Sequence, residues 1–284
     1  MMPYRPAYSS HFAEDGLRTL DPIEPLESIT AEWAWGGSTG KRVRVAVIDS
    51  GIDAGHPAIR GVNGYVAVGE GPDGPVYDTQ PHGDLFGHGS ACAGIIRELA
   101  PDCELYSVRV LGPNLTGQGA TFIAGLRWAI EHGMHVCNLS LSTAKREFFA
   151  VLHELTDLAY FRNIALVSAA NNLAIPSYPS IYSSVISVGS HEVQDPYHFY
   201  YNPEPPAEFG AHGIDVRVAW LDGRWVTTTG NSFAAPHITG IVARILAKHP
   251  GLTLFQLKVI LRALSVNVGR KARGLDQKSD SSDV

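Results

Sequence analysis

Four short segments carry side chains able to move protons or stabilise a developing charge. Asp49 closes a β-branched apolar run at residues 43–48 and is followed by Ser50 and Gly51. A carboxylate at a strand's end can orient an imidazole, act as a base or hold a metal, although such an Asp also commonly caps the next turn. His88 stands between Gly87 and Gly89, ahead of Ser90, Ala91 and Cys92; the small residues predict a closely packed helix start, and the flanking glycines predict a close approach to the imidazole. Ser232 opens a long helical pattern, where a hydroxyl serves as a cap or as a nucleophile whose product faces free helix N–H groups. Asn172 ends the apolar run that begins at Val167; its neutral amide can donate to an oxyanion, whereas an isolated Asn pair reads as a turn.

The elements that must position these groups follow from hydrophobic period. Short β-branched runs recur at residues 43–48, 104–110, 135–141, 164–169 and 185–188, and helical patterns lie between them at 89–97, 121–132 and 147–162. The alternation predicts an α/β fold: a doubly wound, mostly parallel central sheet with helices on both faces. In such sheets ligands bind beyond the carboxyl ends of the strands, where Asp49 and Asn172 fall. Ile238, Ile241, Val242, Ile245 and Leu246 form one apolar stripe behind Ser232, and a second amphipathic helix is predicted at 253–264. Residues 71–84 read as a loop, and 192–225 as loops and short hairpins. Residues 1–40 read as an N-terminal extension with one short helix near 26–34, 41–268 as the catalytic-size domain, and 269–284 as a polar, disordered tail.

Taken together, the order Asp49, His88, Ser232 with Asn172 at a late strand's end resembles the subtilisin-like serine proteases (subtilases, peptidase S8). The resemblance runs from about residue 43 to 264 and includes Leu99-Ala100-Pro101, Asn138-Leu139-Ser140-Leu141 and Ile186-Ser187-Val188-Gly189. It implies a subtilisin-like fold and a serine endopeptidase: Ser232 as nucleophile, His88 as general base, Asp49 as the group that fixes the imidazole tautomer, and Asn172 in the oxyanion hole. It also implies a peptide or protein substrate bound in extended conformation along Gly117-Gln118-Gly119 and Leu139-Ser140-Leu141, with a first specificity pocket walled by Leu141-Ser142-Thr143 and Ala169-Ala170-Asn171.

Several positions depart from the family pattern. Ser142, Thr143 and Asn171 stand where glycines are common, which predicts a narrowed pocket and a restricted preference, as in an enzyme dedicated to one precursor peptide. Asn231 and Phe233 flank the nucleophile where Thr and Met are usual, and Ser90 and Ala91 replace Thr and His. A catalytically silent peptide-binding relative is the alternative from another class. Cys92, one helical turn after His88, resembles the thiol-containing, proteinase-K-like branch and is expected to be a small buried packer. Pro3-Tyr4 resembles a segment that crosses the cleft in the intracellular branch. Helix residues 94–100 run directly into the next strand, so the calcium loop common in relatives is expected to be absent. No metal or cofactor is required for the chemistry, a structural calcium stays open, and Asp73, Asp78 and Asp84 offer oxygen ligands for some other cation but are expected to be solvated loop charges.

Composition excludes other classes. A net charge of −6 with no basic run argues against nucleic-acid or membrane-surface partners. Three cysteines form no closed disulfide set and no C-x-x-C pair, and no secretory signal pattern opens the chain, so a cytoplasmic location is expected. Composition and spacing leave the oligomeric state unspecified. An α/β-hydrolase elbow at Gly230–Ala234 lacks the Asp and His that must follow it, and the histidines show no H-E-x-x-H spacing.

Overall fold

The computed structural model describes residues 28–268 apart from Pro205. The predicted tail at 269–284, and residues 1–27 of the predicted extension with the cleft-crossing segment at their start, lie outside the described residues. In chain order the elements are α1 (Ala31–Trp35), β1 (Arg44–Asp49), β2 (Gly64–Gly71), β3 (Gly74–Asp78), α2 (His88–Leu99), β4 (Glu104–Arg109), α3 (Gly119–Glu131), β5 (Val136–Leu139), α4 (Phe149–Phe161), β6 (Ala165–Ala169), β7 (Ile186–His191), β8 (Tyr200–Tyr201), β9 (Phe209–His212), β10 (Val216–Ala219), β11 (Trp225–Thr228), α5 (Asn231–Lys248) and α6 (Leu254–Leu264).

One sheet runs β3-β2-β4-β1-β5-β6-β7-β9-β8 and is parallel from β2 to β9, with antiparallel pairs only at its two edges. β10 and β11 form a separate hairpin. The fully buried run of β1 alternates between two cores because successive side chains leave a strand on opposite faces. Val45 and Val47 pack with α2, α5 and α6, whereas Ala46 and Ile48 pack with α3 and α4. Each such side chain contributes about 1.5–3 kcal/mol of burial free energy, which fixes the register and with it the position of Asp49 at the strand's end.

Because β1, β5 and β6 are parallel neighbours, their carboxyl ends lie side by side. Asp49, the 140–143 segment and the Asn171–Asn172 pair therefore emerge at one edge of the sheet. The chain order crosses over at β1, with β4 on one side and β5 on the other, which is the kind of switch point where open α/β sheets form their clefts.

The structure differs from the sequence expectation over 71–78, which form the end of β2 and all of β3 in a hairpin rather than a loop; β2, in a stretch the sequence left unassigned, extends the parallel sheet alongside β4. β3 is exposed along its whole length and β2 contains three glycines, so neither strand carries the apolar alternation that marks a half-buried strand.

Candidate active site

Asp49 is completely buried, and both its carboxylate oxygens face His88 Nδ1, at 2.8 and 2.9 Å. The Asp49 Oδ1 also accepts from the Ser50 N–H at 2.8 Å, which fixes the carboxylate plane. Burial opposes protonation of His88, but the Asp49 charge and hydrogen bond, assisted by Asp84, outweigh it and raise the imidazole pKa above its ordinary value. A carboxylate at Nδ1 holds the proton there and leaves Nε2 as the basic atom. The glycines beside His88 have a different cause from the one their types suggested. Gly87 has φ +112° and a Cβ there would strike the Trp220 ring at 2.5 Å, while a Cβ on Gly89 would meet the Gly51 carbonyl at 2.0 Å. The close approach is by backbone and Trp220, not by a ligand at the imidazole.

Asp84 is the functional residue that sequence reasoning misplaced. It is half-buried and accepts five hydrogen bonds at 2.7–2.9 Å, from Ser50 Oγ, Phe86 N and Gly87 N on Oδ1 and from Ser90 N and Ser90 Oγ on Oδ2. It thereby supplies the side-chain cap that Gly87 cannot give α2, and puts a negative charge at the positive end of that helix. It also ties the His88 turn to Ser50, whose Oγ accepts from Gly89 N at 3.2 Å. A run of Asp-x-x-Gly-His was the available signal: an Asp four residues before a helix-opening His is within reach of the free N–H groups. Asp73 is exposed, and Asp78 accepts from Gln80 N within its own turn.

Ser232 is the second residue of α5, after the extended Gly230. Pro236 lies four residues further on and has no N–H, so the Ser232 carbonyl loses its helical partner. Two side chains take its place: Ser140 Oγ donates to Ser232 O at 2.8 Å and Cys92 Sγ approaches the same oxygen at 3.5 Å. Ser140 Oγ in turn accepts from Asn138 Nδ2 at 2.9 Å, and Asn138 Oδ1 accepts from Thr239 Oγ1 at 2.9 Å. The Ser232 backbone is thus held, directly or through Ser140, by groups from α2, β5 and α5. Its hydroxyl donates to the Ser140 carbonyl at 3.0 Å rather than to His88.

Cys92 is wholly buried, as expected of a packer, and burial followed by the Asp49 charge pushes its thiol well above the ordinary range. It is therefore a neutral thiol at pH 7. The ligand atoms of Asp49, His88 and Cys92 lie within 4.8 Å of one another. Each is already engaged in the hydrogen bonds just described.

Asn172 is exposed beyond β6. The Asn231 N–H faces its side chain at 2.9 Å; a donor there requires an oxygen, which assigns Oδ1 and leaves Nδ2 free on the Gly230 side, 3.6 Å from where a Gly230 Cβ would stand. A cleft of about 700 Å³ brings together His88, Ser232, Gly117, Gln118, Gly119, Ser140, Leu141, Ser142 and Thr143, with Phe148 against Gly119. Leu139 and Ala169 do not line it: both side chains are buried in the core, so they offer a substrate only backbone. Ala170 is buried too, and the Asn171 side chain is folded back on Leu173 N at 2.8 Å, so of the three residues expected to narrow the pocket only Ser142 and Thr143 line the cleft. Thr143 is fixed by two backbone hydrogen bonds with Tyr178.

Comparison with known proteins gives the same picture. The subtilase family model matches residues 40–279. The chain is 30% identical over 263 residues to subtilisin DY of Bacillus licheniformis, covering 87% of this chain and 91% of that protein. It is 31% identical to the minor extracellular protease Epr of Bacillus subtilis, covering 91% of this chain, and 32% identical to subtilisin E of the same organism, covering 82%. It spans 41% of the length of Epr and 63% of subtilisin E. A crystal structure of a cold adapted subtilisin-like serine proteinase superposes with a TM-score of 0.68 at 27% identity, over 80% of this chain and 83% of that one. The chain belongs to the subtilase family.

Proposed function

We propose that the chain is a serine endopeptidase in which Asp49, His88 and Ser232 form the triad and Asn172 the oxyanion hole. The observation that carries the reading is the buried Asp49–His88 pair opening onto the same cleft as Ser232 at the start of α5. The Ser232 hydroxyl leaves the Ser140 carbonyl and donates to His88 Nε2, and its oxygen attacks the substrate carbonyl as the proton passes to the imidazole. Asp49 keeps the proton on Nδ1 and stabilises the imidazolium. The oxyanion accepts from Asn172 Nδ2 and from the Ser232 N–H, one of the first-turn donors that has no helical partner. Collapse breaks the C–N bond, the amine leaves with the proton from His88, and water then releases the acyl group by the same route in reverse.

The substrate is a peptide in extended conformation lying between the 116–119 and 139–143 segments. Ser142, Thr143 and Phe148 in the cleft support a restricted side-chain preference, and hence processing of a dedicated precursor rather than general degradation. We place the enzyme in a reducing compartment, the cytoplasm, on its three free, buried thiols; Epr, by its name, is extracellular. No helix among the described residues is long and apolar enough to cross a membrane. The proposed chemistry routes no step through a metal.

Cleavage of a mixed peptide library by the wild type, read by mass spectrometry against Ser232→Ala, tests the reading. Cleavage after a narrow set of side chains supports it, and equal cleavage after large aromatic and small residues removes the processing role. The Ser140-directed hydroxyl is the feature a silent peptide-binding relative would keep permanently; bound but uncut peptides would establish that reading instead.

A further inference from the structure

The residue before the nucleophile makes a set of bonds that the triad does not use. Asn231 Oδ1 accepts from Ser190 N in β7 at 2.9 Å, and its Nδ2 donates to the carbonyls of Ala170 and Asn171, just beyond β6, at 3.1 Å each. Its own N–H donates to Asn172 Oδ1. One side chain therefore joins the ends of two adjacent strands to the turn that carries Ser232. The segment that needs this is otherwise weakly held. Residues 172–176 are all exposed, and the Asn171 and Asn172 side chains accept from Leu173 N and Asn231 N respectively.

Resting on the protease reading above, we propose that Asn231 is a positioning residue that sets the Asn172 amide against Ser232, so that the oxyanion hole is assembled before substrate arrives. An amide suits the task because it supplies one acceptor and two donors at fixed angles, whereas a hydroxyl supplies a single donor and could not hold both carbonyls. A displacement of about 1 Å in such a donor costs on the order of 100-fold in rate, so a loosened segment is felt in turnover and not in binding.

The test is a double-mutant cycle of Asn231→Ala with Asn172→Ala on the full chain. Rates are expressed per active site titrated with a fluorophosphonate, and thermal unfolding is followed in parallel. Asn231→Ala is expected to lower kcat on the order of 10- to 100-fold with KM changed less than about 3-fold, and to lower it less than about 3-fold when Asn172 is already Ala. Asn231→Asp keeps the volume and the Ser190 bond but loses both donors, so it carries the same test if the Ala variant does not fold. Equal losses in both backgrounds, or a loss confined to KM or to the number of titratable sites, would overturn the inference while leaving the protease reading intact. A folded wild type inert to both peptide and probe would overturn the reading itself and this inference with it.

Discussion

Replacing Asp84 by Asn keeps its shape and removes its charge, which isolates what the five hydrogen bonds do. With the remaining carbonyl oxygen toward Ser50 Oγ, Phe86 N and Gly87 N, the new amide nitrogen faces Ser90 N and Ser90 Oγ. The hydroxyl can turn to accept, but the Ser90 N–H then opposes a donor and is left unpaired, at about 1–3 kcal/mol. Loss of the charge at the start of α2 adds about 0.5–1 kcal/mol. The sum is about 1.5–4 kcal/mol, and for a domain of this size roughly 3–15 °C in Tm. Because the same bonds hold the turn that carries His88, kcat/KM falls on the order of 10-fold, since small misplacements of a catalytic group are costly. Urea unfolding and peptide hydrolysis measure the two effects, with Asp73→Asn, on an exposed turn, as a control expected to change neither. An Asp84→Asn protein with the stability and kcat/KM of the wild type would refute the argument that this carboxylate is structural scaffolding for His88.

Asn172→Ala should lower kcat about 10²- to 10³-fold with little change in KM, a loss of about 2.7–4 kcal/mol measured for such a donor in a member of this same family rather than worked from this structure; a loss seen in KM alone would count against an oxyanion role. The pKa of His88 is raised, so the acid limb of kcat/KM should have its midpoint above 6.5, and a midpoint below that would contradict the Asp49 pairing. His237, 4% exposed, has its pKa lowered to about 4 by burial, with His212 and His191 adding to it. The unfolded chain therefore binds the extra proton between pH 6.5 and 4, and stability is full above that window and about 3 kcal/mol lower below it; urea midpoints that stay flat from pH 7 to 4.5 in the wild type but not in His237→Gln would reverse the sign. Arg97, buried and donating to the carbonyls of Ile59, Gly61, Pro101 and Cys103, should lose about 3–5 kcal/mol of stability as Arg97→Met, and a Tm change under 2 °C would show those loops are held by other contacts.

Most of the parallel sheet and the helices around it was legible because the central strands β1, β5 and β6 are buried on both faces and read as largely apolar runs, while β4 and β7 keep enough buried β-branched or aliphatic residues to mark them. The helix at α5 was legible from its stripe and from Ser232 at its start. β2 and β3 were not, since β3 is exposed throughout and β2 buries only Val66 fully, too little core face to pattern. The order Asp49, His88, Ser232 and Asn172 carried the family. Its supporting residues did not show in the same way, because their partners are backbone groups brought close only by folding. Asp84 binds N–H groups of its own turn and Ser50, 34 positions earlier. Asn231 reaches strand ends some 40 and 60 positions away. Pro236 was the readable exception: a proline four residues after Ser232 requires that some side chain satisfy the Ser232 carbonyl, and Ser140 and Cys92 do so.

Reaction of the purified protein with a fluorophosphonate, read as intact and peptide-level mass, bears most directly on the triad. The account predicts a single adduct on Ser232, absent in Ser232→Ala and slowed at least about 100-fold in His88→Ala, the usual scale of a lost general base. A folded wild type whose Ser232 stays unmodified, or is labelled equally fast without His88, would contradict it.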